Sequence, residues 1–250
     1  MSLSMKSLRR MTALAASLAV WAGLLAMAVA GSAHTAAAQT GGTAGPSDAE
    51  TTTWTVVPQT TGDWGVAFSL GWTLGTHEGH VNGVTGTVRA QLSPLTVTEG
   101  EFRIPITAMT TGSTQRDCHM REALGIDYSH SHFPADHVCM NNQLPASGPD
   151  SVVYPDVAIK ILSLRPQQTG AVLAPTQPLS GDVVLELSIH GVTHEVSAPV
   201  RLELVKPNLA QVQTGFELKL ADFGIVVKMP PLMSVDDHIK VTLNLHLAPG

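Results

Sequence analysis

The chain has 250 residues, of which 14 are Lys or Arg and 20 are Asp or Glu, so its formal net charge is −6. Charged residues make up only 14% and apolar residues 44%, which allows a large hydrophobic core, and the absence of a basic run argues against nucleic acid as a partner. Aromatic residues make up 4%, so an apolar interior must be lined mostly by Val, Leu and Ile.

The N-terminus has the layout of a secretory signal peptide. Lys6, Arg9 and Arg10 precede an uncharged apolar run from Thr12 to Ala30, and A-x-A cleavage patterns lie at its end and shortly after it. We expect residues 1–38 to be the signal peptide, which sends the protein to the periplasm or outside the cell and leaves no stable membrane span once it is cleaved. The alternative is an uncleaved anchor helix, because the apolar run is nearly long enough to cross a bilayer.

A linker separates this segment from the folded domain. Residues 39–53 are small and polar, a composition that buries too little apolar surface to order itself. We therefore predict a flexible linker over residues 39–53 and one folded domain over residues 54–250.

From Trp54 onward, apolar and polar residues alternate with the period of two that is typical of half-buried strands. The clearest run is GDVVLELSIHG, in which Val183, Leu185, Leu187 and Ile189 share one face. Similar alternation occurs in WGVAFSLGW, FRIPIT, DVAIKI, HEVSAPVRLELV, GFELKLADFGI and IKVTLNLHLA.

Turn and helix signals organise these strands. Residues 190–194, HGVTH, lie between two alternating runs and predict an antiparallel hairpin, whereas Pro199 predicts an edge, a bulge or an outward-facing break in the strand ladder. The best helical segment runs from Arg116 to about Gly125, with Asp117 as a candidate cap at its start. Closing one-sided strands into a barrel removes exposed edges. The sequence therefore predicts an all-β fold, a single antiparallel barrel of about eight strands with one short helix near residues 116–125.

Four segments follow one another along the chain in the order that a known family has. The first two are TQRDCHMREALGIDYSHSHFPADHV, which resembles the RDxHLR helix of the YceI-like proteins and the step that follows it, and SGDVVLELSIHGVTHEVSAPVRL, which resembles their strand–HGVT–strand hairpin. LADFGI is similar to their DFGI/V motif, and VDDHIKVTLNLHL to their closing strand. The match is collinear from about Trp54 to Ala248.

The resemblance implies a lipocalin-like barrel that is exported and holds a polyisoprenoid chain in its interior. We expect no enzymatic activity, since no catalytic motif is visible in the sequence. An aliphatic lining suits such a ligand, since each buried CH₂ contributes about 0.8 kcal/mol without any polar anchor. We expect an isoprenoid lipid or a quinone in the barrel and no other cofactor; a homodimer is left open. The residues expected to line the ligand are Phe68, Leu70, Trp72, Ile104, Ile106, Leu185, Leu187, Val200, Leu202, Leu218, Phe223, Leu243 and Leu245.

Both cysteines of the chain, Cys118 and Cys139, lie in this central segment. In an exported protein such a pair predicts a disulfide rather than a metal or redox site, and no C-x-x-C motif is present. The bridge would close a loop of about 20 residues, which stabilises a fold by roughly 3 kcal/mol in the chain-entropy model. Free thiols or a metal site are the alternatives.

Two other functions stay open. The first is a metal-binding or stress-response protein that uses a histidine-rich segment, with His119, His130, His132 and His137 as candidate ligands, because zinc needs three or four converging side chains. The second is a structural or partner-binding barrel whose core is filled by its own side chains. Hydrolase chemistry is not indicated, since the sequence contains no G-x-S-x-G motif.

Overall fold

A computed structural model describes residues 50–60, 65–128, 148–227 and 231–250. These residues form strands, one α-helix and two short 3-10 helices. The strands are β1 (Thr52–Val56), β2 (Val66–Trp72), β3 (Gly75–Val81), β4 (Thr85–Leu92), β5 (Leu95–Pro105), β6 (Met109–Thr110), β7 (Ile126–Asp127), β8 (Ser151–Val152), β9 (Asp156–Pro166), β10 (Leu179–Ile189), β11 (Val192–Lys206), β12 (Leu209–Lys219) and β13 (Val235–Pro249). The helix α1 is Thr114–Ala123, and the 3-10 helices are Ile106–Ala108 and Leu220–Phe223.

Eight strands close into an antiparallel barrel in the order β1, β4, β5, β9, β10, β11, β12 and β13, and β13 pairs back to β1. The long strand β13 has two partners on this side, since residues 247–249 pair with β1 and residues 235–243 pair with β2. Strands β3 and β6 continue the wall beyond β2. The predicted eight-stranded all-β barrel with one short helix is confirmed.

The alternation of β10 shows how the sequence builds this wall. Val183, Leu185, Leu187 and Ile189 are each at most 7% exposed, because successive side chains of a strand point to opposite faces. The predicted hairpin follows directly, as every residue of β10 pairs with one of β11. Its two-residue turn has positive φ at His190 (52°) and Gly191 (78°), the conformation that matches the twist of paired strands.

Pro199 lies where β11 changes neighbours. This strand pairs with β10 from Val192 to Leu202, but with β12 only from Val200 to Lys206. Because proline has no N–H to donate, it fits the position just before the second ladder begins. The Thr214 hydroxyl donates to the Pro199 carbonyl at 2.8 Å and joins the two strands there. Of the three predicted possibilities, Pro199 therefore lies at an edge, that of the β12 ladder, whereas the ladder with β10 runs through it without a break.

The helix differs in detail from its prediction. It begins at Thr114, two residues before Arg116, and Ser113 precedes it as the cap residue without a side-chain hydrogen bond. Asp117 is therefore not the cap but a buried residue of the first turn. Gly125 follows the helix end with a φ of 93°, a backbone conformation that only glycine adopts easily.

The folded part also begins slightly earlier than predicted, since β1 starts at Thr52 and takes in the last two residues assigned to the linker. The predicted signal peptide, residues 1–38, lies outside the described residues. In the part of the chain that the structure describes, no helix is long and apolar enough to span a membrane.

Candidate functional site

The barrel interior contains two apolar cavities stacked along its axis. One, which we call the helix-side chamber, has a volume of about 130 Å³ and is bounded by α1 and the Leu220–Phe223 turn. The other, the far chamber, has a volume of about 90 Å³ and is bounded by β1, β4 and the opposite halves of the long strands. Every second residue of β12 faces the interior. Ala210, Val212 and Thr214 line the far chamber, and Phe216 and Leu218 line the helix-side chamber. The distance along the strand from Ala210 to Leu218 is about 26 Å at ~3.3 Å per residue.

The chemistry of both linings is almost uniformly aliphatic. Among the described residues of the far chamber, Thr214 and Trp54 have polar side-chain atoms. The Thr214 hydroxyl is already engaged with the Pro199 carbonyl, and the buried Trp54 Nε1 has no hydrogen-bond partner. The described residues that line the helix-side chamber are all apolar, among them Phe68, Leu187 and Phe223. Water needs two to four polar partners to occupy a cavity stably, so these chambers favour an apolar guest over water.

Eleven of the predicted lining residues face these cavities. Leu185, Val200, Leu202, Leu243 and Leu245 face the far chamber. Phe68, Leu70, Ile104, Leu187, Leu218 and Phe223 face the helix-side chamber. Their contact with a ligand stays a prediction.

Trp72 and Ile106 do not belong to either lining. Ile106 begins a 3-10 helix, which interrupts the period of two, and its side chain packs under α1 in a separate cluster with Cys118 and Ile126. Trp72, the last residue of β2, stacks on His77 with ring centroids 4.7 Å apart. In both cases the prediction extended the alternation of buried residues to the end of a strand or one residue beyond it.

One wall of the far chamber was not predicted from the sequence. Val88, Ala90 and Leu92 of β4 line it together with Trp54 of β1. The signal was present as alternation in TGTVRAQL, but Gly, Thr and Ala weaken it. Met120 of α1 was missed for a different reason, because the helix shows almost no segregation of apolar residues to one face.

Asp117 ties α1 to the barrel. The side chain is 6% exposed and accepts hydrogen bonds from the Thr110 hydroxyl (2.8 Å), the Thr111 amide (2.7 Å) and the Thr111 hydroxyl (2.6 Å). Thr110 is the last residue of β6, which pairs with β3. The carboxylate thus fixes the helix that carries Met120 and Leu124 into the helix-side chamber.

Cys118, the next residue, is fully buried against Ile106, Ile126 and Tyr128. No cysteine among the described residues is free. Its predicted partner Cys139 lies outside the described residues, so the disulfide between them stays a prediction.

A polar cluster lies next to this helix. The Arg116 guanidinium lies 3.2 Å from Nδ1 of His77 and also donates to the Thr111 carbonyl at 3.0 Å. Burial, and secondly the positive charge of Arg116, lower the pKa of His77 from its ordinary value of 6.5. The ring is therefore neutral at pH 7, and Nδ1 can accept from the guanidinium.

The histidine-rich segment falls mostly outside the structure. His130, His132 and His137 lie outside the described residues, whereas the half-exposed His119 has Nδ1 3.5 Å from Glu122 Oε2. Within the described ranges, no group of three or more His, Cys, Asp or Glu side chains is placed to hold a metal ion. The metal-binding alternative thus rests on residues that the structure does not describe.

The chain is similar to several solved structures. A polyisoprenoid binding domain from Saccharophagus degradans implicated in plant cell wall breakdown aligns with a TM-score of 0.51 at 13% identity, covering 80% of this chain and 100% of its own. BcnA of Burkholderia cenocepacia aligns with a TM-score of 0.48 at 14% identity over 74% of this chain and 95% of its own. The YCEI protein of Campylobacter jejuni aligns with a TM-score of 0.47 at 14% identity over 70% of this chain and 85% of its own.

None of the curated protein sequences matches the chain. A family model for the YceI-like domain, however, matches residues 54–247. This range contains the whole barrel apart from the first residues of β1 and the last residues of β13. The chain therefore belongs to the family of YceI-like domain proteins.

Proposed function

We propose that this protein binds a long apolar lipid, an isoprenoid or a quinone with an isoprenoid tail, inside the barrel. The observation that carries the proposal is the pair of stacked cavities with an almost wholly aliphatic lining. A hydrocarbon chain gains about 25 cal/mol for each Å² of apolar surface that it buries there, and it carries no polar group of its own whose burial would oppose this gain. The polyisoprenoid binding domain with the same fold supports this choice of ligand class.

The role that follows is binding rather than catalysis, either as a carrier or as a store that keeps the lipid out of water. A barrel filled by its own side chains would need no cavities of this kind. The residues that carry binding in this proposal are the chamber-facing aliphatic side chains, of which Val81, Leu187 and Leu245 are the most deeply buried among the described residues at 1% exposed each.

The proposal is tested on the full-length protein purified from its own host without added detergent. Native mass spectrometry should show a bound mass, and solvent extraction followed by lipid analysis should yield one isoprenoid class. The same spectrum gives the oligomeric state, monomer or homodimer. Protein that is empty, and that also fails to bind added farnesol, would refute lipid binding.

A matched pair of variants locates the binding. Ala90 is 5% exposed and faces the far chamber, so Ala90→Phe should fill that space and weaken farnesol binding. Ala67 lies on β2 with its side chain on the exposed face, so Ala67→Phe adds the same ring outside the barrel. Equal loss of binding in both variants would contradict an interior site.

We also propose that the protein is exported and carries the Cys118–Cys139 disulfide in its mature form. The motivation is the charged, apolar and small-residue order of the N-terminal segment together with the buried environment of Cys118. N-terminal sequencing of protein from the periplasmic or extracellular fraction should begin near residue 39. Recovery of the intact N-terminus from the membrane fraction would instead support an anchor.

A further inference from the structure

The linings of the two chambers meet at a residue of β9. Of the described residues that line the two chambers, Ile159 of β9 is the one shared by both. It is 3% exposed, so its surface is covered by the core on all sides apart from the two cavities.

The strand register places Ile159 at the boundary. Its partner on β5 is Phe102, which faces the far chamber, and its partner on β10 is Leu187, which faces the helix-side chamber. On β10 the boundary falls between Leu185 and Leu187, and on β12 it falls between Thr214 and Phe216. On β9 a single side chain occupies the boundary itself.

We propose that Ile159 is a waist that sets the length of chain the barrel accepts. This inference rests on the proposed lipid binding and deepens it. A short chain fits in one chamber and leaves Ile159 in place, whereas a longer chain has to move its side chain to continue into the second chamber. Isoleucine is branched at Cβ and has a restricted χ1 angle, so this movement opposes part of the gain from burying more chain.

The test is a series of prenyl alcohols, geraniol, farnesol and geranylgeraniol, which differ by one isoprene unit. Each CH₂ that becomes buried should strengthen binding about fourfold at most. In the unaltered protein, the gain in binding free energy for each added isoprene unit should drop at the first alcohol that is long enough to cross the waist. This drop is the step that the variants test. Ile159→Ala should remove this step, and Ile159→Phe should stop the gain there and weaken geranylgeraniol binding at least about tenfold.

A second readout follows the chain itself. Trp54 lines the far chamber, so a fluorotryptophan label gives a fluorine NMR signal there, assigned by its loss in Trp54→Phe. For a chain that enters from the helix side, geranylgeraniol should shift this signal in the unaltered protein and in Ile159→Ala. It should not shift the signal in Ile159→Phe.

Two truncations of the same kind are the controls. Leu185→Ala enlarges only the far chamber and Leu187→Ala only the helix-side chamber. Both should change the affinity for every probe without removing the step at the waist. Circular dichroism checks folding, and if Ile159→Phe does not fold, the comparison of Ile159→Ala with these controls decides.

Identical length profiles in the unaltered protein, Ile159→Ala and both controls would overturn the waist while leaving lipid binding intact. Failure of every probe to bind the unaltered protein would instead refute the proposed function, and the waist with it.

Discussion

Replacing Asp117 with alanine should loosen the attachment of α1 to the barrel. The substitution removes a buried carboxylate that accepts three hydrogen bonds, all between 2.6 and 2.8 Å. It leaves the Thr111 amide and the hydroxyls of Thr110 and Thr111 without that acceptor. Ser113, which precedes the helix, makes no side-chain cap that would replace the carboxylate.

The magnitude follows from these three bonds. A hydrogen bond to a charged group contributes roughly 1.5–3 kcal/mol, but Thr110 and Thr111 are only half-buried, so water replaces part of the loss. We expect Asp117→Ala to lower the free energy of unfolding by about 2–4 kcal/mol. For a domain of this size the corresponding drop in Tm is about 4–16 °C.

Asp117→Asn is the matched control. The amide keeps the size of the side chain and one acceptor oxygen for Thr111, and its NH₂ group can donate to the Thr110 hydroxyl. The cost should therefore be about 1 kcal/mol, which is the loss of charge assistance alone.

Urea unfolding followed by circular dichroism gives both free energies, and hydrogen exchange of the Thr111 amide gives a local readout. Exchange should be much faster in Asp117→Ala than in Asp117→Asn. An alanine variant within 0.5 kcal/mol of the unaltered protein, with Thr111 still protected, would show that the three bonds do not hold the helix in place.

Three further predictions concern other parts of the molecule. Gly79→Ala puts a Cβ against the ring of Phe68 and should destabilise the barrel by about 1–3 kcal/mol and weaken farnesol binding; unchanged urea unfolding would contradict this. Because burial lowers the pKa of His77, the unfolded state binds more protons below pH 6.5, so stability should fall as pH falls through this range. His77→Gln should remove that part of the pH dependence. If the free energies of unfolding of His77→Gln and of the unaltered protein differ by the same amount at every pH, the prediction is wrong. Thiol titration of denatured, unreduced protein should find neither Cys118 nor Cys139 free, and two free thiols would exclude the disulfide.

Much of the barrel follows from local chemistry. Strict alternation in β10 and β13 predicts strands with one buried face, and the Gly191 turn predicts the hairpin, because both depend only on neighbours along the chain. The same reasoning found most of the residues that face the chambers. It overlooked the wall formed by β4, where Val88 and Ala90 alternate with residues that are poor markers of a strand.

The alternation along a strand no longer predicts the direction of a side chain where the backbone changes conformation. Ile106 continues the alternating pattern of β5 on paper, but a 3-10 helix begins at this residue and turns the side chain away from the interior. Asp117 has the position of a helix cap in the sequence, yet its partners Thr110 and Thr111 come from the segment that leads into the helix. Such pairings depend on the path of the chain in space.

The sequence by itself determined the type of protein: an all-β barrel of the YceI-like family with an aliphatic interior. Its periodicity predicts which face of each strand is buried, and its composition predicts that this face is mostly aliphatic. Only the tertiary structure decided how the interior is divided. The division at Ile159 depends on the register that places Phe102 on one side and Leu187 on the other, and register is a relation between strands distant in the chain.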